Sequence, residues 1–254
     1  MLKHTLRSLI ILCMATLALQ AQDKQTSMKV MELGLRQVAS IPAIMKNYVM
    51  VEIGHKFNDP KAELNKTITQ FKALQDELMT LPVDDETKAV LEKHQKMWAA
   101  LDAELQKSID HEQFKKLKEY TVPLRLSIKK MIRETKEKIG TERGDALYYT
   151  GKLSAVSQKF ASLYMLLKWG MDNEKLHKDM DKQKQMYAKS LEKLKTISLT
   201  SEKSKSVLKE LHKDLQYFTF LEQSSKTFMP ALVYKKTNHM YEHTNEMMAA
   251  LLAE

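Results

Sequence analysis

Cysteine is almost missing from this sequence: Cys13 is the only one. It falls inside an apolar N-terminal run, ahead of an expected cleavage point, so the mature chain is expected to hold none. That excludes disulfides, iron–sulfur ligation, thiolate catalysis and c-type haem attachment together. Glycine and proline are scarce too, at six and five residues in 254. An α/β enzyme needs Gly-rich turns at its strand ends, and none can be placed. Aromatic residues make up only 7%, and the β-branched runs that mark strands are missing. No Ser/His/Asp arrangement, phosphate-binding glycine loop or paired carboxylate cluster is visible. The expectation is a chain without catalysis and without a cofactor. Beyond the N-terminus no apolar stretch is long and charge-free enough to span a bilayer.

What fills the sequence instead is Lys, Glu, Leu, Met, Ala and Gln, all good helix formers. The apolar spacing agrees. Leu64, Ile68, Phe71, Leu74 and Leu78 follow the helical period, as do Phe160, Leu163, Tyr164 and Leu167. An all-α chain is expected. Breaks fall at Asn58-Asp59-Pro60, at Leu81-Pro82-Val83-Asp84, at Gly170-Met171-Asp172-Asn173 and around Ser198 to Ser201. Asp84 and Thr200 are the expected caps there, and Pro123 and Pro230 are expected to open the fourth helix of each unit.

The first residues read as an export signal. Lys3 and Arg7 form a basic region, Leu9 to Leu19 an apolar core, and Leu19-Gln20-Ala21 offers a small residue for cleavage. Residues 1–21 are therefore expected to be removed, leaving a periplasmic chain with no membrane span. The formal charge is +9. Most lysines alternate with glutamates along the helices, which fits a solvated face. An exported chain without a recognisable nucleic-acid motif is not expected to bind nucleic acid.

The chain repeats itself. Arg36-Gln37 and Lys152-Leu153 open equivalent stretches, and an offset of 116 residues persists through Tyr48/Tyr164, Gly54/Gly170, Leu64/Met180, Phe71/Tyr187, Leu78/Leu194 and Leu81/Ile197. Few chance alignments keep one register across so many apolar and aromatic positions. Two tandem antiparallel four-helix-bundle units follow, at 22–140 and 141–254. No proline lies between Pro123 and Trp169, only Gly140, Gly144 and Gly151. One long shared helix is expected to join the units end to end as a rod.

The segment Gly151-Lys152-Leu153-Ser154-Ala155-Val156-Ser157-Gln158-Lys159-Phe160-Ala161-Ser162-Leu163-Tyr164 resembles the first helix of the type IV pili methyl-accepting chemotaxis transducer N-terminal (PilJ-type) domain, which is similar to nitrate/nitrite sensor ectodomains. Gly151, Ser157, Gln158, Ala161, Leu163, Tyr164 and Gly170 match its signature, with Lys152 and Lys159 in place of arginines. The last helix also fits, through Pro230, Leu232-Val233, Thr237, Met240 and Asn245-Glu246-Met247. The first copy keeps Arg36-Gln37, Lys46, Tyr48 and Gly54 but has Pro42 where the signature is polar. The resemblance implies a chemotaxis-related sensory, ligand-binding bundle that pairs through its first helix, either with a second copy or with a partner's helices. The arginine that holds the anion in nitrate-binding members falls on Val38 and Ser154. Arg36, Gln37, Lys152, Gln158 and Lys159 are then the candidate contacts for a small anion or other small molecule. No signalling module is expected after the second unit.

Two other chemistries are legible. His239-Met240-Tyr241-Glu242-His243 matches an inverted zinc-protease pattern, with two histidines on one helix face. A catalytic site needs a third ligand, and few residues follow His243. A metal-handling protein using His239 and His243 is the alternative reading, and a structural spacer or envelope interaction protein is another. The 17 methionines could serve copper(I), but at dispersed helical spacing they read as core.

Overall fold

A computed structural model of the chain describes the backbone of residues 2–54, 57–107, 110–223 and 229–253, and the side chains of 23–54, 57–107, 110–218 and 229–253. The fold is all-helical: α1 (Leu2–Glu52), α2 (Pro60–Thr80), α3 (Asp85–Leu105), α4 (His111–Ile139), α5 (Glu142–Lys168), α6 (Glu174–Lys195), α7 (Glu202–Gln223) and α8 (Pro230–Ala253). No strand occurs among the described residues. None of these helices is long and apolar enough to cross a membrane, within the described residues. The expected export signal, residues 1–21, has its side chains outside the described set.

The helix starts follow local chemistry. Asp84, Asp110 and Asn173 each accept a hydrogen bond from a backbone N–H of the first turn, at 2.7–3.0 Å. Such a cap stabilises a helix by about 1 kcal/mol. Ser201 caps α7 through the N–H of Ser204 at 3.0 Å, one residue past the expected Thr200. Pro230 opens α8 as expected. Pro123 does not open a helix: α4 begins at His111, behind the stronger signal of the Asp110 cap, and Pro123 sits exposed inside it.

The expected shared helix is absent. α4 ends at Gly140, whose φ of 58° is left-handed, and Thr141 caps the start of α5 through the N–H of Gly144 at 3.2 Å. A glycine stop followed directly by a threonine start reverses the chain. α1 and α5 consequently lie side by side as the central pair, instead of the units standing end to end. α2 and α4 pack on α1, α6 and α8 pack on α5, and α3 and α7 close the outside. Gly151 permits a close approach of the central pair. A Cβ there would lie 2.6 Å from the Leu35 Cβ.

Positions 116 residues apart do the same work. The Tyr48 hydroxyl accepts from the Asp110 N–H at 3.4 Å, at the entrance to α4. The Tyr164 hydroxyl accepts from the Met229 N–H at 2.9 Å, at the entrance to α8. Gly54 and Gly170 end α1 and α5 with φ of 62° and 78°. Phe71 stacks on Trp98 between α2 and α3, and Tyr187 meets Phe218 between α6 and α7.

Candidate functional site

Five cations converge on a groove between α1, α4, α5 and α6. Arg125, Lys129 and Arg133 recur every four residues on one face of α4, and Lys152 and Lys159 stand two turns apart on α5. Leu35, Val38 and Pro42 of α1, with Ile132, Val156 and Met186, supply apolar walls around a space of about 280 Å³. Among the described residues no Asp or Glu lines it. Among the described residues none of the five forms an ion pair. Elsewhere Lys66, Lys107, Lys195, Lys205 and Lys213 each pair with a glutamate three residues away.

Crowding of like charge against apolar walls registers in the amines. Lys159 is lowered to about 8, first by burial and then by Arg125 and Lys118, against the opposing pull of Asp179. Lys129 is lowered to about 8 by burial, Arg125 and Lys152. Burial also lowers the Arg125 guanidinium. A neighbouring hollow of about 360 Å³ shares Pro42, Arg125 and Lys159, and adds Lys118 and Lys175 with one acid among the described residues, Asp179. The rim carries Val122 and Leu126, 42% and 58% exposed. They are the two large apolar side chains of the described set left open to water, and both stand on the α4 face beside Arg125.

The sequence-derived contacts divide between two sides of the central pair. Lys152 and Lys159 line the groove. Gln158 points the other way: it donates to the Thr237 carbonyl at 2.9 Å and accepts from the Lys46 amine at 2.9 Å. Gln37 is buried and donates to Gln75 at 2.9 Å, within a chain that continues to the Leu91 carbonyl. Arg36 is paired with Glu32 at 3.1 Å, and its charged form is further favoured by Tyr241. Val38 lines the groove, whereas Ser154 is buried.

Lys46 forms a second polar centre between α1, α5 and α8. Its ammonium nitrogen also donates to Asn238 at 2.6 Å and lies 4.3 Å above the Tyr234 ring. The side chain is 1% exposed, and burial pushes its amine down to about 7 against the opposing pull of Glu63.

His239 and His243 share one face of α8, with ring centroids 4.1 Å apart. Asp214 of α7 meets them, 2.9 Å from the His243 Nδ1. Glu242, the acid of the His-x-x-Glu-His pattern, instead lines the hollow beside Lys46. It is not grouped with the histidines.

The α4 stripe was legible and is absent from the sequence-derived set. Arg125 and Lys129 have no acid three or four residues away on either side, unlike the lysines that alternate with glutamate. No protein-family model, curated protein or solved structure matches this chain.

Proposed function

We propose that this chain is an exported, non-catalytic ligand-binding or sensory-accessory protein of the PilJ type, built of two tandem four-helix units, and that its α1/α4/α5/α6 groove holds a small amphipathic anion. The observation that carries the ligand reading is five cations without acidic partners on an apolar-walled groove. Uncompensated like charge in a partly dry site is unfavourable until an anion arrives. The apolar walls and the open Leu126 favour an organic anion with a hydrophobic body over a bare inorganic ion. Arg125 offers a planar fork for a carboxylate or phosphate, and the lysines act as point charges around it. The tandem reading rests on the matched tyrosine and glycine pairs and on the break at Gly140. The periplasmic location rests on residues 1–21 alone.

A thermal-shift and calorimetric screen tests the ligand reading, using nitrate, phosphate, and alkyl and aromatic carboxylates. A folded-state ligand at about 100-fold over its Kd adds about 2.7 kcal/mol, or about 5–10 °C for a chain of this size. Organic anions should shift more than nitrate. Arg125→Ala should weaken binding about 10–100-fold, because a hydrogen bond to a charged group contributes about 1.5–3 kcal/mol. A shift that survives in the Arg125→Ala/Lys159→Ala double variant would place the ligand elsewhere. No shift with any anion would remove the proposal.

A further inference from the structure

The geometry points to a divalent transition-metal site of the zinc type, with Asp214, His239 and His243 as ligands joining α7 to α8. It is independent of the groove. The His-x-x-Glu-His pattern by itself supplies two histidine ligands and leaves the third to be found. α7 supplies one from upstream. One ligand atom from each of the three residues lies within 4.8 Å of the others. A tetrahedral ion with bonds of about 2.0–2.2 Å needs its ligand atoms about 3.4 Å apart. The required closure is therefore within reach of side-chain rotation alone. His239 stands exposed on the solvent side, which leaves a position for water.

Asp214 is the second reason. Its side chain is 4% exposed, and among the described residues no lysine or arginine pairs with it. Its hydrogen-bond partner among the described residues is His243 at 2.9 Å. A buried carboxylate without a cation is costly, and a single hydrogen bond compensates it only in part. A bound dication compensates it in full. Glu210 of α7 and Glu246 of α8 also belong to this helix pair, each held by a lysine at 2.7 Å, Lys213 and Lys203. Two imidazoles and one carboxylate suit Zn²⁺, Co²⁺, Ni²⁺ and Cu²⁺, and disfavour the all-oxygen sites that calcium and magnesium take.

The Glu242 side chain lines a different hollow, so the site is a clamp between helices and not the centre of an inverted protease. Because the ion would bind residues of two helices in the folded chain only, it should stabilise the α7–α8 pair.

The test uses the full chain without a histidine tag, titrated with Co²⁺ alone and followed by visible absorption, then challenged with Zn²⁺ in the same cuvette. The expected result is one equivalent of Co²⁺ giving the intense d–d bands of a four-coordinate site, abolished by one equivalent of Zn²⁺. His239→Ala should weaken binding by at least about 100-fold, the upper range for losing even a supporting partner of a metal ligand. Asp214→Asn, which keeps the shape, should do the same. His239 is exposed, so its variant keeps the fold, checked by an unchanged far-ultraviolet spectrum. Co²⁺ bands of equal intensity and affinity in His239→Ala and Asp214→Asn would overturn the inference, and so would no saturable Co²⁺ binding by the parent chain.

Discussion

Gly151→Val is expected to lower the stability of the chain by about 3 kcal/mol, at the upper end of ordinary overpacking. The cause is local and geometric. A Cβ at position 151 would sit 2.6 Å from the Leu35 Cβ and 2.7 Å from both Leu35 methyl carbons. The first of those atoms is anchored to the α1 backbone, so rotation cannot remove it from the way. α1 and α5 must part along their seam, and interiors packed to crystal-like density resist that. Gly151→Ala should cost less, because alanine gains about 1 kcal/mol from helix preference. Gly34→Ala should cost less again: its nearest obstacle, at 3.0 Å, is the flexible tip of Met131. Chemical denaturation of the three variants gives the ranking. Adding Leu35→Ala to Gly151→Val makes room, so the double variant should be more stable than the sum of its parts predicts. Additive losses would mean the seam does not depend on this contact. Leu35 and Gly151 also line the basic groove, so the substitution that parts the helices should weaken anion binding as well.

How much of this was legible depends on whether the signal was local. The helical character, the Asp84 cap and the Tyr48/Tyr164 and Gly54/Gly170 correspondences can all be read along one segment at a time. So could the turn at Gly140-Thr141: a left-handed glycine followed by a capping threonine is a local stop and start. The absence of proline between Pro123 and Trp169 points the other way, toward one continuous helix. The side-by-side placement of α1 and α5 is different. It rests on a glycine meeting a leucine 116 residues away, and no periodicity marks that. Once the pair is side by side, Arg125, Lys129 and Arg133 come to face Lys152 and Lys159, and Gln158 is carried to the opposite side. Asp214 reaches the histidines only because α7 packs on α8. Its distance in sequence from His239 follows no ligand-spacing rule, whereas the i, i+4 histidines were visible at once.

Raising the pH from 7 to 10 is expected to stabilise the parent chain by about 4 kcal/mol more than it stabilises Lys46→Met. The Lys46 amine is pushed from its ordinary 10.5 down to about 7 in the folded chain. In the unfolded chain it recovers the ordinary value. Below pH 7 both states carry the proton, and the folded state bears the full cost of a buried ammonium. Between about 7 and 10.5 the unfolded chain holds a proton that the folded chain has released, so stability rises with pH by about 1.4 kcal/mol per unit. Lys129 and Lys159, each lowered to about 8, bend the curve in the same direction. For that reason the difference between parent and variant, and not the parent's curve alone, isolates Lys46. Methionine fills the same channel without charge but leaves the Gln158 and Asn238 oxygens without their donor, a loss of about 1–3 kcal/mol that does not vary with pH. The two curves should therefore cross: the variant is the more stable protein near pH 6 and the less stable near pH 10. Urea midpoints taken at each pH locate the crossing. Parallel curves would mean that water reaches Lys46 and that the amine keeps its ordinary value. The crossing would mean that the chain holds a charge in its interior, between α1, α5 and α8, that folding alone does not favour.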